Sequence, residues 1–246
     1  MSCGIRGFGA THPGRRRGNN EDSFCLNEAL GAAIVADGMG GESCGEIGSR
    51  MTIRVAVEHL SRPESDLTLT ETALEAIRAA NSEVIAAARV RPGCNGMGST
   101  IVMALWRLPE MLIANVGDSR AYLLREGKLR QLSYDQSFAN ELRHKLGFSE
   151  ERIRAMANRN VLTMAVGTFE QVLILTHSEL VQGGDCFLLC SDGLYGPVTD
   201  SAISAILQEP SSLQERAEKL INTANQNGGP DNVTAVLLEV FGETDE

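Results

Sequence analysis

Five stretches of the sequence put a carboxylate at the edge of an apolar run. Asn20-Glu21-Asp22 precedes Ser-Phe-Cys-Leu, and the run Ala32 to Ala36 ends on Asp37-Gly38. Leu112-Ile-Ala leads to Asn115-Val-Gly-Asp118, and Phe187-Leu-Leu leads to Cys190-Ser-Asp192-Gly. Gly229-Pro-Asp231-Asn precedes Val-Thr-Ala-Val-Leu-Leu. Each alone is explained by turn chemistry, since Asp and Asn bond back to their own backbone and Gly takes unusual angles without steric cost. Together they say more. Strands of a sheet align, so strand-end residues from distant parts of the chain can converge on one rim. Uncompensated carboxylates gathered there repel one another, and persist at neutral pH only if protonated or if cations lie between them. The four histidines (His12, His59, His144, His177) all fall outside these stretches. An all-oxygen set suits hard cations: Mg²⁺, Mn²⁺ or Ca²⁺. A carboxylate bridging two such ions is the arrangement that activates a water for hydrolysis. The glycines after Asp37 let the backbone approach, so the Gly38 carbonyl joins the candidate ligands.

The segment Gly14-Arg15-Arg16-Arg17-Gly18 lies directly before the first acidic stretch. Arg15 and Arg16 read as a solvated basic loop. Arg17, close to Glu21 in sequence, is best placed to reach the same rim, and an arginine fork matches phosphate oxygens two at a time. Cations plus arginine point to phosphate-ester hydrolysis.

These residues need strands to carry them. Residues 22–26 and 31–37 predict a hairpin, and residues 99–132 predict a meander with Arg125-Glu-Gly as one tight turn; 186–192 and 232–240 complete the strands. Helices interrupt them. Ser43-x-x-Glu46 and Thr68-x-x-Glu71 read as capping boxes, the first followed by Ile47, Met51 and Val55, the second by Leu74, Ile77, Val84 and Ile85. A third long helix starts after Pro210 and carries Leu213, Ala217, Leu220 and Ala224, with shorter ones at Asn140–Leu146 and Asp200–Leu207. The order predicts an α+β fold of mostly antiparallel sheets with helices outside.

Bulk properties narrow the class. With 246 residues the chain suits one large domain or two small ones, and no composition shift marks a boundary. It is 43% hydrophobic but only 4% aromatic, so Ala, Val, Ile and Leu must build the core. A balance of 22 basic against 32 acidic residues, net −10, argues against nucleic-acid or anionic-membrane partners. No apolar run approaches membrane-spanning length and the first residues do not resemble a signal peptide, so a cytoplasmic protein is expected. The six cysteines (3, 25, 44, 94, 186, 190) contain no C-x-x-C pair and are expected as reduced thiols, with Cys186 and Cys190 as core residues of a strand. No apolar surface stripe remains unassigned, and a monomer is expected.

The ordered motifs resemble the metal-dependent serine/threonine protein phosphatases of type 2C, the PPM family, in its bacterial branch. They are T-H-P-G-R-R-R-G-N-N-E-D (11–22), V-A-D-G-M-G-G (35–41), G-S-T (98–100), N-V-G-D-S-R-A-Y (115–122), L-S-Y-D-Q-S (132–137), N-R-N-V-L-T (158–163), C-S-D-G-L (190–194) and G-G-P-D-N-V-T (228–234). The resemblance spans nearly the whole chain and implies one catalytic domain over 1–246, an α-β-β-α sandwich of two antiparallel sheets flanked by helices, with a flap at about 137–160. It implies two Mn²⁺ or Mg²⁺ ions and a third, weaker one. Asp37 would bridge the two ions, Asp192 and Asp231 would complete one site, and Glu21 and the Gly38 carbonyl the other, with Asp22 holding bound water. Asp118 with Asp192 would hold the third ion, Arg17 the phosphate, and Asn232 would fix the Asp231 loop. The implied substrates are phosphorylated proteins, among them a serine/threonine kinase or its targets. This chain departs from the pattern at Met39 and Gln136, where histidines are frequent, and in a flap, A-M-A-N-R-N, without His-Pro.

Three rival readings compete with it. Cys44-Gly-Glu-Ile-Gly-Ser-Arg50 fits C-x5-R, the signature of cysteine-dependent phosphatases, but a helix starting there would tie up the amides that must cradle phosphate. A glycine-rich P-loop fails for want of G-K-[ST]. A catalytically silent phosphoprotein-binding module is the non-enzymatic alternative.

Overall fold

The computed structural model describes residues 4–40, 44–62, 66–154, 156 and 161–242. The strands are β1 (Gly4–His12), β2 (Asp22–Asn27), β3 (Ala32–Met39), β4 (Gly98–Ser99), β5 (Ile101–Arg107), β6 (Glu110–Val116), β7 (Arg120–Arg125), β8 (Lys128–Gln131), β9 (Leu175–Leu180), β10 (Cys186–Cys190) and β11 (Val233–Phe241). The helices are α1 (Cys44–Leu60), α2 (Leu69–Val90), α3 (Phe138–Leu146), α4 (Glu150–Arg154), α5 (Asp192–Tyr195), α6 (Asp200–Leu207) and α7 (Leu213–Gln226), with a 3-10 turn at Glu28–Leu30.

One sheet runs β1-β11-β10-β7-β8 and the other β2-β3-β5-β6-β9, with β4 paired to β3. The paired strands are antiparallel. Three apolar layers follow from the period-two alternation of side chains. Val35, Val102, Ile113, Leu123, Phe187 and Val236 fill the space between the sheets. Ile34, Met103 and Leu112 point the other way, against Ala56 of α1 and Ala73, Ile77 and Val84 of α2. Tyr122, Leu188 and Leu237 meet Leu194, Ile203, Leu220 and Ala224 of the C-terminal helices. The result is the four-layered α-β-β-α sandwich. Scarce aromatics are replaced by alanines, several of them fully buried, which let helices and sheets approach closely.

Local signals set the elements where they are strong. Thr68 and Ser212 each form a complete capping box, with Glu71 and Glu215 reaching back to the cap backbone. Glu126 and Gly127 take positive φ, 51° and 74°, in the two-residue turn that joins β7 to β8. Ser43, the expected cap of α1, lies outside the described residues, as do 158–160 of the N-R-N-V-L-T motif and most of A-M-A-N-R-N.

Two expectations are corrected. Residues 99–132 are not one meander: β5–β6 belong to one sheet and β7–β8 to the other. The chain changes sheet at Gly117–Ser119, where Gly117 has φ 97°, an angle a strand could not continue. Nor are all six cysteines reduced. Cys44, at the start of α1, is bonded to Cys94, in the loop before β4, across 50 residues of sequence. No sequence spacing announces a bridge of that reach. Cys186 and Cys190 are buried in β10 as expected. No helix among the described residues is long and apolar enough to cross a membrane.

Candidate metal and phosphate site

Register brings the acidic residues to one end of the sandwich. In the β2–β3 hairpin Asp22 stands opposite Asp37. The backbone of Asp37 is pinned on both sides: its N–H donates to Thr100 Oγ1 at 2.9 Å, and its carbonyl accepts from the Thr100 N–H at 2.8 Å and from Ser99 Oγ at 2.9 Å. The carboxylate is thus aimed by β4 and its successor, the G-S-T motif.

From the facing sheet, Ser191 Oγ and Thr234 Oγ1 donate to Asp22 Oδ2 at 2.6 and 2.7 Å. These two hydroxyls flank β10 and open β11, so they latch the sheets together at the rim. The Gly38 N–H donates to the Glu21 carbonyl at 3.1 Å. A Cβ on Gly45 would collide with the Glu21 carboxylate and lie 2.9 Å from the Gly38 carbonyl, so both oxygens sit against the bare start of α1. Sequence reasoning passed over Gly45, Ser191 and Thr234, although the last two lie inside quoted motifs.

Asp231 and Arg17 meet directly: the Arg17 guanidinium donates to Asp231 Oδ2 at 2.8 Å while remaining 54% exposed. The arginine loop is laid on the Asp231 loop. Arg15 N–H donates to the Gly229 carbonyl at 2.9 Å, and Gly14, at φ 79°, leaves no room for a side chain beside the Asp231 carbonyl. Asn232 Oδ1 accepts from the Glu21 N–H at 2.8 Å, and its Nδ2 donates to the carbonyls of Pro13 and Asn19 at 2.9 and 2.8 Å. It fixes the loop, as expected, and the Glu21 segment with it.

The electrostatics report how close the carboxylates are. Burial, then the Asp22 and Asp192 charges, pushes Asp37 well above the usual carboxylate range. Burial foremost raises Asp22 to about 7, Asp192 to about 6 and Asp118 to about 8, with neighbouring aspartates adding to each.

Among the described residues no three His, Cys, Asp or Glu side chains close on one point as a preformed metal cage. Asp22 accepts from two hydroxyls and Asp231 from Arg17. The donor set nonetheless fits hard cations. It is all oxygen, and Asp22 Oδ1 and Asp192 Oδ1 are buried with no hydrogen-bond partner, a costly condition that a cation would relieve.

A cleft of about 540 Å³ opens beside Asp118, Asp192 and Asp231, with Ser137, Ala139 and Arg143 of the flap region on its lining. Arg120 also lines it, an assignment the sequence did not suggest. Its guanidinium forks onto Asp135 at 2.7 to 3.1 Å and stacks 3.7 Å over the Tyr195 ring. The Tyr195 hydroxyl donates to the Asp118 carbonyl at 3.0 Å.

The thiolate alternative fails on this geometry. Cys44 is bonded to Cys94, residues 45–49 are helical, and Arg50 pairs with Glu46 at 2.8 Å.

A four-layered sandwich with an acidic rim and an adjoining arginine defines a class. The chain matches the Protein phosphatase 2C family over residues 9–239 and belongs to that family. It is 38% identical over 232 residues to the serine/threonine protein phosphatase PstP of Mycobacterium tuberculosis, covering 93% of this chain but 44% of PstP. The chain therefore spans less than half the length of that relative. It is 37% identical over 235 residues to the serine/threonine phosphatase stp of Listeria monocytogenes, covering 93% of each. A crystal structure of M. tuberculosis PstP/Ppp superposes with a TM-score of 0.89 at 34% identity, over 97% of this chain and 99% of that one. A PstP catalytic domain in complex with two manganese ions superposes with a TM-score of 0.88 at 34% identity, over 98% of this chain and all of that one.

Proposed function

We propose that this chain hydrolyses phosphoserine and phosphothreonine monoesters in proteins, with two Mn²⁺ or Mg²⁺ ions held at the acidic rim, as a single catalytic domain over 1–246. The observation that carries this is the convergence of Asp22, Asp37, Asp192 and Asp231 from four separate strand ends, with two buried carboxylate oxygens left without partners. The relative solved with two manganese ions supports the choice of cation.

Asp37 is the candidate bridge, being centrally placed among the other aspartates. Asp192 and Asp231 would complete one ion's ligands, and Glu21 with the Gly38 carbonyl the other's. Asp22 would orient bound water, and Asp118 with Asp192 would take a third, weaker ion. The ions, when bound, supply an activated water and neutralise charge on the phosphoryl oxygens. Arg17, exposed and hinged on Asp231, would swing its fork to the phosphate and orient it for in-line attack. Met39 stands where the family pattern often has histidine, so the leaving serine or threonine oxygen would take its proton from water rather than from that side chain. The partners are phosphorylated proteins, with a serine/threonine kinase or its targets the leading candidates.

The test is phosphate release from a phosphothreonine peptide by metal-stripped protein, with and without Mn²⁺. Release only with Mn²⁺ is expected. Release without metal refutes the proposal. Mn²⁺ binding without release would establish the silent-module alternative instead.

A further inference from the structure

Gln136 lies where the family pattern has histidine, at the neck of the flap. All four of its polar groups are engaged. Its N–H donates to the Gly117 carbonyl at 2.9 Å, and its carbonyl accepts from the Thr163 N–H at 2.9 Å. Its side-chain Oε1 accepts from the Gly117 N–H at 2.8 Å, and Nε2 donates to the Leu173 carbonyl at 2.8 Å. One residue thus holds both backbone groups of Gly117. The turn it grips is enclosed: Gly117 has φ 97°, and a Cβ there would lie 2.7 Å from the Thr100 methyl group. Asn115 braces the same turn, its Nδ2 donating to the Tyr134 carbonyl at 2.9 Å. Asp118 is the next residue.

The flap leaves and returns through this neck. Ser137 bridges to Leu162, the Phe138 N–H donates to the Val161 carbonyl at 2.8 Å, and Thr163 closes on Gln136 itself. The other side of Gln136 lines a second cavity, of about 580 Å³, with Ile113, Tyr134 and Leu175. Gln136 is 5% exposed, so water cannot stand in for it at Gly117. Through Gln136, a shift of the neck reaches the site by way of the Gly117 backbone, one residue from Asp118.

We infer that Gln136 is the positioning residue that couples the flap neck to Asp118 and thereby sets the strength of the weakest cation site. The inference rests on the metal-dependent reading above and deepens it. Gln136 touches neither substrate nor cation. It acts by holding the backbone from which Asp118 projects, as outer-shell partners of metal ligands do.

The test compares wild type with Gln136→Leu, which removes both side-chain bonds, and Gln136→His, which restores a ring nitrogen. Mn²⁺ binding is followed by calorimetry, turnover against Mn²⁺ concentration, and stability by thermal unfolding. Gln136→Leu should keep two tight ions but weaken the third binding step roughly tenfold or more, with Gln136→His recovering most of it. KM measured at saturating Mn²⁺ should not move. A variant that binds three ions like wild type and only melts earlier overturns the inference. If Gln136→Leu does not fold, Gln136→Asn, polar but one methylene short of Gly117, should show the same selective loss. A wild type with two ions and no third step overturns the inference alone. A wild type that binds no Mn²⁺ overturns the metal reading and this inference with it.

Discussion

Without cations the acidic rim should make the protein weaken as pH rises. The perturbation is chelation of divalent metal. In the folded, cation-free protein burial raises Asp192 to about 6, Asp22 to about 7 and Asp118 to about 8. In the unfolded chain each returns to about 3.9. Below pH 4 both states hold these protons and the groups contribute nothing to the slope. Above it the unfolded chain releases protons that the folded chain keeps, and stability falls until pH passes the folded values. Each retained proton costs about 1.4 kcal/mol per pH unit. The aspartates share charge and titrate together, so one net proton is the conservative count. From pH 5 to 7 that amounts to about 3 kcal/mol, or roughly 6–12 °C in Tm for a chain of this size. Glu71 and Glu215, held low by the backbone N–H groups of Thr68 and Ser212, act in the opposite sense and only below this window. The assay is urea unfolding at half-unit steps from pH 5 to 8.5, in chelator and in saturating Mn²⁺. The fall should appear in chelator and vanish with Mn²⁺, which binds the ionised form. Asp118→Asn should flatten the chelator curve above pH 7. A chelator curve that is level or rises from pH 5 to 8 would refute the reasoning, because it would mean the buried aspartates are ionised without cations.

Other outcomes are open to direct measurement. Asp37→Asn or Asp231→Asn should lower kcat by at least two to three orders of magnitude, the scale of losing a charge-stabilising group at the reacting centre; near-normal rates in a phosphatase assay would dismiss the dinuclear site. Arg17→Ala should raise KM for a phosphopeptide about tenfold or more with a smaller change in kcat, since an exposed fork binds phosphate before and during reaction. Cys44→Ser should keep metal-dependent turnover while losing stability on the order of 4 kcal/mol, the chain-entropy value for closing 50 residues; loss of turnover in a folded variant would return Cys44 to the chemistry.

Legibility followed locality. The β2–β3 hairpin, the capping box at Thr68, the helix after Pro210 and the tight turn at Glu126-Gly127 rest on neighbours in sequence, and the residues themselves announce them. The acidic strand ends were legible as a pattern because strands align. β1 was not. Its Gly4, Gly7 and Gly9 weaken any strand signal, yet the structure needs them bare: a Cβ on Gly9 would enter the Phe24 ring, and one on Gly7 would meet Leu26 and Leu238 at 2.9 Å. β9 was missed because two of its three half-buried positions, His177 and Glu179, are polar and hide the alternation. The Cys44–Cys94 bond and the change of sheet at Gly117 are tertiary events with no local mark. The residues that aim the site, such as Thr100, Ser191, Thr234 and Gln136, were visible as motif letters, but their partners lie tens to hundreds of positions away.

The rim belongs to neither sheet. Asp22 and Asp37 ride on one, Asp192 and Asp231 sit at strand ends of the other, and the cross-ties at that end include two short hydroxyl bonds to Asp22 and the bond from the Glu21 N–H to Asn232. The spacing of the carboxylates is therefore a property of how the two sheets are stacked, in the way that the gap of a vice is set by its screw rather than its jaws. The screw is the interleaved layer of Val35, Val102, Phe187 and Val236. Repacking that layer by a methyl group, at side chains that are not themselves candidate ligands, should shift one half of the site against the other. Tuning of rate and metal preference among relatives can thus proceed through apolar substitutions that never touch the chemistry.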